Sequence, residues 1–262
     1  MSDTSTLAKL RLDIAHITAI GDRLSNQDAL ASASEDGLSC FVLADGTGGH
    51  EGGEIAANLV TAGIIEKFKQ EASFSARALE SYIDWAMTKV AKNQQQNTDL
   101  SNMSTTVATV LIDQQNRCAL WAHLGDTRIY LFRDGKIQTI SKDHSLAQRL
   151  VDAGYTDYAQ IRLHPQRSVL FAAIGAEGDT EPEVTSVATA LQGGDAFLLC
   201  TDGFWEWIQD HEIEQSLINT QSSSECLGRM NAIAEQNIGT ASVNRDNFSA
   251  FVIRIHDLVE LS

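Results

Sequence analysis

An aspartate that ends an apolar strand and is followed by glycine stands where a carboxylate can do chemistry, and this chain has the pattern twice. LSCFVLA (38–44) runs into Asp45-Gly46, and DAFLLCT (195–201) runs into Asp202-Gly203. Two further Asp-Gly pairs, at 36 and 134, lie between polar neighbours and read as ordinary turns. A carboxylate emerging beside the core is costly unless neutralised, and two that converge repel each other unless a cation sits between them. Hard oxygen donors select hard cations, so Mg²⁺ or Mn²⁺ is the expected partner.

The first pair opens a loop, ADGTGGHEGGE (44–54), with five glycines around His50. It is no nucleotide cradle. A P-loop needs a lysine that this loop lacks, and the dinucleotide pattern fails because Glu51 stands where its third glycine belongs. The glycines are read instead as letting the Gly46 carbonyl face a metal while Gly48 and Gly49 turn the chain and bring His50 over the site. Three more segments repeat the theme. GDRLSNQD (21–28) sets Arg23 five residues before Asp28, HLGDTR (123–128) puts Asp126 after an apolar run, and NRDNFS (244–249) puts Asp246 before the last strand. Five aspartates are thus expected at strand ends.

The elements that must position them are read from hydrophobic period. Residues 10–20 alternate as a half-buried strand, and 38–44 read as a buried one. From Glu54 onward Ile55, Leu59, Ile64, Ile65 and Phe68 fall at helical spacing, followed by a second helix carrying Leu79, Tyr82, Ile83, Ala86, Met87 and Val90. KNQQQNTDLSN (92–102) reads as a polar connection. Four strands (105–113, 117–125, 128–132 and 136–140) then read as an antiparallel meander, with Asp134-Gly135 as its last turn. Ser145 and Gly154 bracket a short helix, and the stretch to 182 reads as a surface flap. A strand at 195–203, helices at 210–219 and 223–237, and a strand at 248–255 complete an α+β order.

Composition bounds the rest. A chain of 262 residues with two prolines is read as one domain without a Pro-rich linker. A formal charge of −16 argues against nucleic acid, and it means that a phosphorylated ligand would need a local cation to reverse the field. The N-terminus lacks a basic-then-apolar leader and no run is long enough to span a bilayer, so a cytoplasmic protein is expected. Cys40, Cys118, Cys200 and Cys226 form no C-x-x-C pair and read as reduced thiols. His123, His144, His164 and His211 show no ligand spacing and read as structural, and Trp205 and Trp207 as core packing.

Taken in order, RLSNQD, ADGTGGHEGGE, MSTT, GDTR, DHSL, CTDGFWEWI and RDNFS resemble the motifs of the metal-dependent, type 2C serine/threonine protein phosphatases in their bacterial form. The resemblance spans residues 21–255. It implies a four-layer αββα sandwich of two antiparallel sheets flanked by helix pairs, a single catalytic domain over 1–262 with a flap at about 145–182, and a binuclear Mn²⁺ or Mg²⁺ centre. On the family's pattern, Asp45, Asp202 and Asp246 would hold one metal, and Asp28, Asp45 and the Gly46 carbonyl the second. Asp126 matches the ligand of a third ion in bacterial members. Arg23 matches the arginine that binds substrate phosphate, and His50 is the candidate general acid.

The implied function is hydrolysis of phosphoserine and phosphothreonine in proteins by a metal-activated water, opposing a cytoplasmic Ser/Thr kinase, with the chain a monomer that binds neither nucleic acid nor membrane. The alternative is a pseudophosphatase that binds phosphoproteins without hydrolysing them. Against the family pattern, Thr47 stands where a histidine or methionine is usual, and Gln27 replaces a glutamate. Glu206 replaces an aspartate that can help a third metal, Phe248 a small aliphatic, and Thr127 a serine.

Overall fold

The computed structural model describes residues 9–47, 51–177, 181–239 and 244–258. In chain order the strands are β1 (Leu10–Ala19), β2 (Asp28–Glu35), β3 (Leu38–Thr47), β4 (Ser104–Thr105), β5 (Val107–Asp113), β6 (Cys118–Leu124), β7 (Arg128–Arg133), β8 (Lys136–Ile140), β9 (Glu183–Val184), β10 (Thr189–Ala190), β11 (Ala196–Cys200) and β12 (Phe248–Asp257). The helices are α1 (Glu51–Gln70), α2 (Ala76–Gln96), α3 (Leu146–Asp152), α4 (Asp202–Trp205), α5 (Asp210–Ile218) and α6 (Ser223–Gly239).

One sheet runs β1-β12-β11-β7-β8 and the other β10-β6-β5-β3-β2, with β4 on β3 and β9 on β6; all pairings are antiparallel. Three apolar layers follow from how the strands alternate. Phe41, Leu43, Val110, Phe197, Phe251 and Ile253 meet between the sheets. Cys40, Val42 and Ala44, on the other face of β3, pack under Val60, Ile64, Phe68 and Ile83 of α1 and α2. On the far side Leu198, Ala250 and Val252 lie against Ile213, Leu217 and Met230 of α5 and α6. This is the expected α+β sandwich of four layers, αββα. Because β3 and β12 are covered on both faces, their sequences are continuous apolar runs rather than alternating ones. Truncating a central residue such as Phe251, 1% exposed, would cost about 3–5 kcal/mol.

Two expectations change. The segment 92–102 is not a plain loop: α2 runs on to Gln96 and a 3₁₀ turn, Thr98–Leu100, follows. Lys, Asn and Gln tolerate an exposed helix end. The Gln94 side chain also donates to the carbonyls of Met103 (2.9 Å) and Gly175 (2.8 Å), which fixes that end to the chain around it. The four-strand meander is also not one sheet. β5–β6 and β7–β8 are hairpins in opposite sheets, and Gly125-Asp126-Thr127 carries the chain between them. The strands on either side of the crossing, β6 and β7, are both largely buried apolar runs, so apolar content alone could not tell a turn within a sheet from a crossing between sheets. Gly125, at φ +104, makes the crossing; a Cβ there would lie 2.5 Å from Thr106 Cγ2.

Ser145 caps α3 by accepting from the Gln148 amide (3.2 Å), and Gly154, at φ +75, follows its end, as the sequence predicts. The four cysteines are free thiols. No helix among the described residues is long and apolar enough to cross a membrane.

Candidate active site

β3 and β11 lie in opposite sheets and both deliver an aspartate to the same end of the sandwich. There Arg23, Asp45, Gly46, Asp126, Asp202 and Asp246 line one cleft. Asp28 lies beneath it, 7% exposed and directly opposite Asp45 in the β2–β3 register. The structure therefore brings together every predicted site residue except His50, which lies outside the described residues along with Gly48 and Gly49.

The backbone that holds these groups is built from contacts distant in sequence. Asp45 is fixed from β4 and the residues after it: its amide donates to Thr106 Oγ1 (3.0 Å), and its carbonyl accepts from Thr105 Oγ1 and from the Thr106 amide, both at 2.8 Å. That gives the MSTT segment its role. Asn247 staples the 20–27 loop to the cleft, donating through Nδ2 to the carbonyls of Ile20 (2.8 Å) and Ser25 (2.9 Å) and accepting from the Gln27 amide (2.9 Å). Gly21 makes this approach possible, since at φ +59 it passes so close that a Cβ would lie 2.3 Å from the Asp246 carbonyl oxygen. Gly46 and Gly53 let α1 start against β3; a Cβ on Gly53 would lie 3.0 Å from the Gly46 carbonyl oxygen and crowd it. Trp205, fully buried, donates its indole N–H to the Asp126 carbonyl (2.9 Å), which places it in the core as expected.

The electrostatics are those of an uncompensated acid cluster. Burial is the first cause at each of four aspartates. It pushes Asp28 up to about 7, with Asp246 adding repulsion against hydrogen bonds from Ser249 and Thr201. Asp202 is likewise pushed up to about 7, with Glu206, Asp246 and Asp28 adding to the effect. Asp45 is raised well above the carboxylate range by burial and then by Asp28, Asp202, Asp126 and Asp246, and Asp126 by burial and then by Asp202 and Asp143. Among the described residues the only ion pair to these five aspartates is Arg23 Nη2 to Asp246 Oδ2, at 2.6 Å. Asp28 accepts from Thr201 Oγ1 through Oδ2 (3.0 Å), while its buried Oδ1 finds no hydrogen-bond partner.

An orphaned carboxylate oxygen, four further aspartates at one cleft and an uncrowded backbone carbonyl make an all-oxygen donor set that fits hard divalent cations. Asp45 is the carboxylate on which the charges of all four others act.

Sequence spacing missed one group that folding assembles. His123, His144 and Glu183 bring ring nitrogens and a carboxylate oxygen within 4.8 Å of one another. His123 Nε2 donates to the Lys142 carbonyl (2.8 Å), and His144 Nδ1 accepts from the Gly125 amide (3.2 Å), which leaves the His144 proton on Nε2. The Nε2 atoms are the ones that face Glu183 Oε2, each at 3.9 Å, and both carry the proton, so the network ties β6 and β9 to the segment before α3.

The protein phosphatase 2C family profile matches residues 18–245. The serine/threonine protein phosphatase PstP of Mycobacterium tuberculosis is 34% identical over 196 residues, covering 74% of this chain and 36% of PstP, so this chain spans about a third of that relative's length. A putative protein phosphatase 2C-type of Streptococcus pyogenes is 30% identical over 204 residues, covering 75% of this chain and 80% of its own. Among solved structures, the catalytic domain of PstP in complex with two manganese ions superposes with a TM-score of 0.80 at 27% identity, covering 95% of this chain and all of that one. With the motifs in order, the sandwich in place and the carboxylates gathered at its end, the chain belongs to the protein phosphatase 2C family.

Proposed function

We propose that this protein hydrolyses phosphoserine and phosphothreonine in proteins at a binuclear Mn²⁺ or Mg²⁺ centre. The observation that carries the reading is the convergence of Asp45, Asp126, Asp202 and Asp246 on one cleft over Asp28, with a basic partner for Asp246 alone among the described residues. Relatives named as serine/threonine protein phosphatases, and the manganese-bound PstP domain, support it.

Asp45, Asp202 and Asp246 would hold one ion, and Asp28, Asp45 and the Gly46 carbonyl would hold or orient the second. Two bound divalent ions supply a lowered water pKa and neutralise charge on the transferring oxygens. The chain's own residues do the rest. Arg23, half exposed at the mouth of the cleft and raised in pKa by its bond to Asp246, presents a fork to the substrate's phosphate. Its charge, with the bound cations, turns a strongly acidic protein locally attractive to a dianion. Water attacks phosphorus in line, the P–O bond to the side chain breaks, and the departing alkoxide needs a proton. His50 is the residue we assign to deliver it. The protein then acts as one catalytic domain, a cytoplasmic monomer that reverses the work of a Ser/Thr kinase.

The test is release of inorganic phosphate from a phosphothreonine peptide with Mn²⁺, with Mg²⁺ and with excess chelator, alongside Asp202→Ala. Metal-dependent turnover that the variant loses supports the proposal. A folded protein that binds the peptide and releases no phosphate with either ion overturns it in favour of a pseudophosphatase.

A further inference from the structure

Glu206 sits four residues after Asp202, where the family pattern carries an aspartate that can help a third metal. Here both of its carboxylate oxygens are taken. Arg167 Nε donates to Oε1 and Nη2 donates to Oε2 (2.9 Å), a two-pronged pair in which the glutamate side chain is 10% exposed and the arginine 32%. The charge of Asp202 acts on the Arg167 guanidinium as well. Arg167 comes from the stretch between α3 and β9, and its near neighbours Ser168 and Leu170 line the same cleft as Asp45, Asp126 and Asp202.

A bidentate guanidinium beside two acids does there what a cation would do. It neutralises charge, it occupies the carboxylate face a metal would use, and it repels a further divalent ion. The added methylene of glutamate relative to aspartate gives the carboxylate more reach toward that arginine. We infer that Arg167 is the resident cation of the third site: it fills the place beside Asp202 and Glu206, so the centre takes two divalent ions and the 145–177 segment is latched over the cleft by the same contact. This rests on the two-ion reading above. It has a reciprocal consequence, because whatever draws a third ion to Asp126 and Asp202 must release Arg167, and whatever frees the segment must open the third site.

The experiment is Mn²⁺ equilibrium dialysis on the full chain, with thermal melting to show that each variant is folded. Wild type is expected to bind two ions. Arg167→Ala should bind three, Glu206→Asp should also bind three because the shorter side chain leaves Arg167 and faces the site, and Arg167→Lys should stay at two by keeping the charge. Limited proteolysis between residues 145 and 177 should quicken in Arg167→Ala and in Glu206→Asp, which both lose the latch, and not in Arg167→Lys. Three ions in the wild type, or two in both Arg167→Ala and Glu206→Asp over the same concentration range, would overturn the inference while leaving the two-ion centre intact. Fewer than two ions in the wild type would overturn both.

Discussion

Two buried charged groups lie side by side in this sandwich and are treated in opposite ways. Arg128 and Asp143 are 1% and 3% exposed, yet nothing about them is left open. Arg128 donates to Asp143 through Nε (2.8 Å) and Nη2 (2.6 Å), reaches the Tyr130 and Tyr158 hydroxyls through Nη1, and lies 3.5 Å over the Trp205 ring. The aspartates of the cleft start two residues away, at Asp126, and among the described residues have one ion pair for five carboxylates. The same Trp205 serves both groups, with its face on Arg128 and its N–H on the Asp126 carbonyl. The difference separates a structural charge from a functional one. A group whose partners are all internal holds the crossing between the sheets, and a group left without partners awaits a ligand from solution.

That contrast sets the predictions. Asp202→Ala should lower Mn²⁺-dependent phosphate release by ~10³-fold or more, because losing several kcal/mol of charge stabilisation at tenfold per 1.36 kcal/mol amounts to that. Its circular dichroism should be unchanged. Asp143→Ala should do the reverse to the fold, costing about 3–5 kcal/mol in a urea titration by stranding Arg128 without its counter-ion. A cost under about 1 kcal/mol would mean that the internal pair is not what holds the crossing.

Arg23→Ala removes a charge-assisted contact worth about 1.5–3 kcal/mol and should lower kcat/KM by ~10- to 100-fold, mostly through KM. An unchanged KM would show that Arg23 belongs to Asp246 rather than to substrate.

The smallest effect is on stability without metal, and its sign matters more than its size. Asp28 and Asp202 are raised from about 3.8 to about 7 in the folded protein, so between those values the folded state holds protons that the unfolded chain releases. Their stabilising contribution is full below pH ~4 and is lost as pH rises through about 7. With chelator present, Tm should therefore fall across that window, and Mn²⁺ should raise Tm most at its upper end, where the ligands are deprotonated. Asp28→Asn should flatten the chelated profile without lowering Tm at pH 7, unlike Asp143→Ala.

Legibility followed the range of the contacts involved. Asp45 and Asp202 could be read directly, because an apolar strand ending in Asp-Gly is a local pattern, and the caps of α3 were equally local. Asn247, Thr201 and Thr106 could not be read in their roles. They act on residues 220, 173 and 61 positions away, and a lone polar residue beside a strand has many ordinary uses. β2 escaped notice because DALASASE buries small residues whose apolar signal is weak. His123 and His144 lie far from any ligand spacing and meet Glu183 only because β6 pairs with β9. Glu206 was visible as a departure from the family pattern, while its partner Arg167, 39 residues earlier, was not.

The most direct measurement is anomalous diffraction at the manganese edge from crystals soaked in Mn²⁺. The account predicts two peaks flanking the Asp45 carboxylate, with none between His123, His144 and Glu183, where His123 Nε2 donates to the Lys142 carbonyl and His144 Nδ1 accepts from the Gly125 amide. An empty cleft, or manganese at the histidines and not at Asp45, would contradict it.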